Sequence, residues 1–157
     1  MARSQGQKLK ILYLLKILTE ETDEFHPLTL AEITKRLADF GIVAERKSLY
    51  DDLEALRTFG YDIIAVKSRV TAYYLAERTF SLPELKLLVD LVQSSRFITH
   101  KKSIELIEKL EKMASAYEAK QLRRQVYVAG RVKTMNESIY YNTDAIHQAI
   151  AENRKIS

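Results

Sequence analysis

Two cationic side chains, a hydroxyl and a phenol fall within five positions at Arg46, Lys47, Ser48 and Tyr50, and a second basic pair, Lys67 and Arg69, brackets Ser68. Nothing in that pattern makes a nucleophile or a metal ligand set. Arginine and lysine donate charge-assisted hydrogen bonds to phosphate oxygens, and the same side-chain types reach sugars and base edges, so the chemistry these residues allow is recognition of a polyanion. Other reactive types are sparse. The absence of cysteine excludes thiol chemistry, disulfide scaffolds and zinc ribbons, and fits a reducing compartment. His26, His100 and His147 stand far apart without a clustered ligand set, and four glycines leave no room for a phosphate-cradling loop. No enzymatic activity, metal or cofactor is expected.

Positioning such groups requires rigid elements, and the apolar periodicity supplies them. Ile11, Leu14, Leu15 and Leu18 mark one face of a helix over Lys8 to Glu20, with Leu12, Tyr13 and Ile17 adding a second apolar face. The acidic run Glu20 to Glu24 reads as an exposed loop. Thr29 and Glu32 form a capping box that opens a second helix, lined inside by Leu30, Ile33 and Leu37 and ended by Gly41. A third helix, from about Glu45 to Thr58, buries Leu49, Leu53 and Leu56, sends Lys47, Asp51 and Glu54 to the opposite side and stops at Gly60. Two helices joined by a short glycine-containing turn, the second polar at its outward N-terminal end, form the helix-turn-helix pattern. Beyond Gly60 the period changes to two: Ile64 and Val66 alternate before the basic tip Lys67-Ser68-Arg69, and Val70, Ala72 and Tyr74 alternate after it. A hairpin in that place reads as a wing whose tip meets phosphate.

Further helices follow. Ser81, Pro83 and Glu84 cap a helix with Leu85, Leu88, Val89 and Val92 on its apolar stripe. A second is expected from about Lys102 to Tyr117 through Leu106, Leu110, Met113 and Tyr117, then a short one at Ala119 to Arg124. Past Gly130 the pattern fades until Thr143 or Asp144 caps a last helix through Ala151. The expected fold class is mainly α with a small β-hairpin: a winged helix-turn-helix over 1–78, a helical linker and dimerisation region over 79–135, and a final segment over 136–157.

Composition sets the class and the charge sets a constraint. The 46% hydrophobic and 29% charged content is that of a soluble globular protein, and no run approaches the roughly 18 apolar residues of a membrane span. Residues 1 to 80 hold 12 Lys and Arg against 12 Asp and Glu, while residues 81 to 157 hold 13 against 9 and supply the net charge of +4. The expected DNA-binding half is therefore not globally basic, and the placement of its charges must carry any affinity for nucleic acid.

Residues 46 to 63, RKSLYDDLEALRTFGYDI, resemble the recognition helix and wing entry of the WYL-domain transcriptional regulators, whose DNA-binding halves are similar to those of the DeoR type. Phe80 to Thr99, FSLPELKLLVDLVQSSRFIT, is similar to the linker after the wing in that family. The resemblance implies a cytoplasmic bacterial transcription regulator that binds double-stranded DNA, and it permits a homodimer. It also implies a sensor domain after the linker, whose opening segment Ile139 to Ser157 resembles and which would bind a small-molecule or nucleic-acid effector. The Trp-Tyr-Leu signature is absent, and Tyr73-Tyr74-Leu75 belongs to the hairpin. The expectation is an N-terminal fragment or a natural short form without its sensor. The sequence departs from the family at Asp51-Asp52, where many members carry an arginine before the aspartate.

For DNA contact, Lys47 and Tyr50 are expected at bases or sugars, Arg46 and Ser48 at phosphate, and Lys67 and Arg69 at the backbone through the wing. Lys8 and Lys10 are weaker phosphate candidates, whereas Lys101, Lys102, Arg123 and Arg124 read as solvated surface. Asp52 reads as structural, bonded to a neighbouring cation or amide. The extra apolar positions Leu82, Leu87 and Leu91 point to a homodimer through the linker helices. The alternative left open by the neutral charge balance is a winged-helix interaction or dimerisation module with little or no DNA binding.

Overall fold

The computed structural model describes residues 5–125, 133–136 and 138–155. Seven helices and one small antiparallel sheet occur among them: α1 (Gln5–Glu21), β1 (Leu28–Thr29), α2 (Leu30–Asp39), α3 (Arg46–Phe59), β2 (Ile63–Val66), β3 (Ala72–Leu75), α4 (Leu82–Ser94), α5 (His100–Glu111), α6 (Ala116–Gln125) and α7 (Ser138–Ala151). The sheet order is β1-β3-β2, with Leu28 opposite Tyr73 on one side and Ile63 opposite Leu75 on the other. None of these helices is long and apolar enough to cross a membrane.

The first core gathers Leu14, Ile17 and Leu18 of α1, Ile33 and Leu37 of α2, Leu49, Leu53 and Leu56 of α3, and Ile63, Tyr73 and Leu75 of the sheet. Each such side chain contributes about 1.5–3 kcal/mol by leaving water. The ends of the helices follow from the sequence. Thr29 Oγ1 accepts the Glu32 amide at 3.3 Å while the Thr29 amide donates to Glu32 Oε2 at 2.8 Å, and Gly60 ends α3 in the left-handed conformation at φ 118°. Thr29→Ala is expected to lower stability by about 1 kcal/mol, measured as a shift in urea midpoint at unchanged slope.

The structure decides which face of the hairpin is buried, a choice that the alternation left open. Ile64 and Val66 are 37% and 38% exposed, whereas Ile63, Tyr73 and Leu75 face the core. The alternation around Ile64 marks the outer face because Ile63 is the residue anchored over α3, its carbonyl accepting from Arg57 Nε at 2.8 Å. Periodicity did not reveal β1 either, since its two residues are too few for a periodic signal.

A second core forms from Leu85 and Val89 of α4, Ile107 of α5, Ala114 and Leu122 of α6. The helix expected from Lys102 to Tyr117 is two helices. Ser115 breaks it: its hydroxyl accepts the Glu118 amide at 3.1 Å and its own amide donates to Glu118 Oε2 at 3.0 Å, a capping box that starts α6. Nor do Thr143 and Asp144 cap the final helix. It begins at Ser138, whose amide donates to Asn136 Oδ1 at 3.0 Å, and Thr143 Oγ1 donates to the Ile139 carbonyl inside the helix. Gly130, past which the sequence pattern fades, lies outside the described residues.

The acidic run Glu20 to Glu24 is not an exposed loop. Thr22 and Asp23 are buried, because they form the joint between the two cores. Asp23 Oδ2 accepts from Ser115 Oγ at 2.7 Å and Asp23 Oδ1 faces His26 Nδ1 at 2.7 Å. Arg78 donates to the Thr19 and Thr22 carbonyls at 2.8 and 2.6 Å and lies 3.8 Å from Glu118, while His26 stacks on Tyr117 at 3.6 Å between ring centres. Polar groups thus tie the end of α1 to the start of α6.

Candidate nucleic-acid interface

The expected contact residues divide according to how α3 lies on the first core. With Leu49, Leu53 and Leu56 turned inward, Arg46, Lys47 and Tyr50 are left exposed in the first turns of the helix. Arg46 Nη2 donates to the Tyr50 hydroxyl at 3.3 Å, and its guanidinium sits 5.9 Å from the centre of the Tyr50 ring. Behind Tyr50 lies the buried Tyr73. Burial pushes the Tyr73 phenol above its ordinary range, the neighbouring Tyr50 hydroxyl adds to this, and Arg57 and Arg46 offset it in part. Tyr73 therefore stays neutral and supports Tyr50 from below.

A groove of about 400 Å³ separates α3 from the hairpin, lined by Leu30, Ala31 and Thr34 of α2, Arg46 and Tyr50 of α3, and Val70 and Thr71 of the hairpin loop. Lys67 and Arg69 are exposed in that same loop, where Ser68 Oγ donates to the Val70 carbonyl at 2.9 Å and stiffens the turn. Arg46 and Tyr50 thus form one wall of a groove whose other wall leads to Lys67 and Arg69. Asp51 and Glu54 are exposed on α3 as well, and Glu54 is paired with Arg57.

Ser48 is held differently. It is half-buried and accepts a hydrogen bond from Lys10 Nζ, and the same ammonium lies 2.7 Å from Asp52 Oδ2. Lys10 is thereby corrected as a phosphate candidate, since its side chain is 5% exposed and spent on α3. Asp52 has the cationic neighbour expected of it, and that neighbour is Lys10. The sequence did hold a signal for this pair: a lysine inside an otherwise apolar helix, and a carboxylate beside the Leu49 stripe. The side chains of Lys8 and Arg124 lie outside the described residues. Lys101 and Arg123 are exposed, Arg123 pairing with Glu111 at 2.7 Å, and Lys102 pairs with Glu105 at 3.1 Å.

Among the described residues no three His, Asp or Glu side chains are grouped to hold a metal ion. Comparison of the chain with family models, curated proteins and solved structures found no match in any of the three.

Proposed function

We propose that this chain is the DNA-binding part of a WYL-type, DeoR-like bacterial transcription regulator, with α2 and α3 as a helix-turn-helix, α3 as its recognition helix and β2–β3 as the wing. The observation that supports it is the groove with Arg46 and Tyr50 on one wall and the Lys67–Arg69 loop at the other. A major groove is about 12 Å wide and admits a helix, while an adjacent basic loop reaches the flanking backbone. In this reading Lys47 and Tyr50 meet base edges, Arg46 meets phosphate, and Lys67 and Arg69 meet the backbone. Ser48 contributes chiefly by orienting the helix from behind. Effector binding belongs to the sensor domain that the family resemblance implies.

The test is titration of random duplex DNA as salt is varied. Binding through phosphate releases counterions, so log K should fall linearly with log salt, with a slope of roughly −0.9 per phosphate neutralised. A flat response overturns DNA binding. It would favour the second reading, an interaction module, which the exposed Asp51 and Glu54 on α3 support because they repel phosphate.

A homodimer through α4 is part of the proposal. Leu87 and Leu91, one helical turn apart, are 61% and 57% exposed, while Leu85 and Val89 of the same helix are buried in the second core. Light scattering is expected to give twice the 18.2 kDa chain mass, and Leu87→Glu with Leu91→Glu to return the monomer. A monomeric mass for the unaltered chain at high concentration removes the dimer.

A further inference from the structure

Lys10 enters the first core from α1, a helix remote in sequence from α3, and places its ammonium between Ser48 and Asp52, which stand one turn apart on the N-terminal half of α3. Burying an ammonium and a carboxylate carries a desolvation penalty that their attraction must first offset, and an apolar pair of similar size would hold the helices together as well or better. Packing alone therefore does not account for a charged pair here. A bridge differs from an apolar contact in fixing a geometry: the ammonium must reach the Ser48 hydroxyl as a hydrogen-bond donor and lie against the Asp52 carboxylate as its counter-charge, and a rolled α3 loses one or the other. The buried Asp52 Oδ2 accepts no hydrogen bond among the described residues and has the Lys10 ammonium, 2.7 Å away, as its compensating charge, so a rotated α3 would strand it. Arg46, Lys47 and Tyr50 occupy these same turns, and a rotation of one residue position sweeps a side chain through about 100°.

We propose that Lys10, which cannot itself touch DNA, is the positioning residue that sets the roll of α3 through Asp52 and Ser48 and so decides which side chains α3 presents. The proposal rests on the DNA-binding reading for its consequence, though not for its geometry. It has a chemical corollary at Asp52. The carboxylate that the helix carries beside Asp51 is compensated from inside by Lys10, as that of Glu54 is by Arg57, which leaves Asp51 as the exposed carboxylate of the three without such an ion pair among the described residues.

The experiment uses the full chain with Lys10→Met, which leaves a buried carboxylate unpaired, and with Lys10→Met combined with Asp52→Leu, which replaces the bridge by an apolar pair and guards against simple unfolding. Two readouts are taken. In amide hydrogen exchange the paired replacement is expected to raise exchange at Asp52 and Leu53, whose amides bond back into the first turns of α3, by about tenfold, with the C-terminal turn unchanged. In selection from a random-sequence duplex library, the unaltered chain is expected to enrich a defined sequence. The paired replacement should bind that sequence no more than about threefold better than the starting library while keeping its affinity for the library. If the double variant matches the unaltered chain in both exchange and discrimination, Lys10 is a packing residue and the proposal is overturned. If the unaltered chain binds no duplex, DNA binding fails, and the exchange measurement alone decides whether Lys10 fixes α3.

Discussion

Arg78→Met is expected to destabilise the protein by about 3 kcal/mol or more and to separate the melting of the two cores. The Arg78 side chain is 9% exposed, and its guanidinium serves the Thr19 and Thr22 carbonyls at the end of α1 together with Glu118 of α6. Burial lowers its pKa from the ordinary arginine value, with Glu118 and Asp23 opposing that pull. Methionine fills the volume of the stem but donates nothing. It leaves two carbonyls and a carboxylate without their cation in a partly dry site, and each unsatisfied buried group costs about 1–3 kcal/mol. Calorimetry should show the single transition of the unaltered chain broaden or split, because the remaining links between the cores are few. An unchanged single transition would mean that Arg78 is not needed for the coupling and that the remaining contacts, the Asp23–Ser115 hydrogen bond and the His26–Tyr117 stack among them, suffice. Acid offers a second view of the same joint. Burial raises the Asp23 pKa, but the hydrogen bonds from Ser115 and His26, the His26 charge and the Phe25 amide together bring it below 3.8. A carboxylate lowered on folding stabilises the folded chain above its unfolded pKa, and that contribution disappears as pH falls through the folded value. The stability difference between the unaltered chain and Asp23→Asn should therefore shrink as pH falls from somewhat above 3.8 through the folded value.

The other large effect lies on DNA, if α3 and the hairpin divide the work as proposed. Replacing Lys67 and Arg69 by alanine should weaken binding to all duplexes alike and reduce the salt slope by roughly one unit for each phosphate left without its cation. Replacing Lys47 or Tyr50 should instead narrow the gap between the selected sequence and random DNA, at about 1–3 kcal/mol per specific contact. Titration of each variant against selected and scrambled duplexes at two salt concentrations separates the outcomes. Should the hairpin variant lose discrimination while the α3 variants lose only overall affinity, the roles are reversed. The groove shared by Arg46, Tyr50, Val70 and Thr71 would then be read from the hairpin side.

Elements with strong local signals were legible in the sequence: the Thr29–Glu32 and Ser81–Glu84 boxes, the Leu49, Leu53 and Leu56 stripe, and the glycine stops. What escaped depends on partners distant in the chain. Asp23 looked like part of a solvated acidic loop because Ser115, the hydroxyl that makes its burial possible, is 92 positions away. The phase of the hairpin escaped for a related reason, since both faces carry apolar residues and only the docking of Ile63 and Tyr73 chooses between them. At the site itself, exposure of Arg46, Lys47 and Tyr50 followed from helical periodicity. The turn of Ser48 toward Lys10 did not, because it needs the crossing of α1 over α3.

Thr29 belongs to two elements at once, ending β1 opposite Ala72 and capping α2. Anyone grafting the hairpin of a homologue onto this chain, or this hairpin onto another, would meet that double duty as a constraint on where to cut. The strands carry the seam to α2, so an exchange of Ile63–Leu75 as a block would have to bring Leu28 and Thr29 with it. Residues 67 to 71 lie between the paired positions Val66 and Ala72 and are free of that seam. Libraries that vary only those five positions should keep the scaffold intact while sampling loop length, charge and reach.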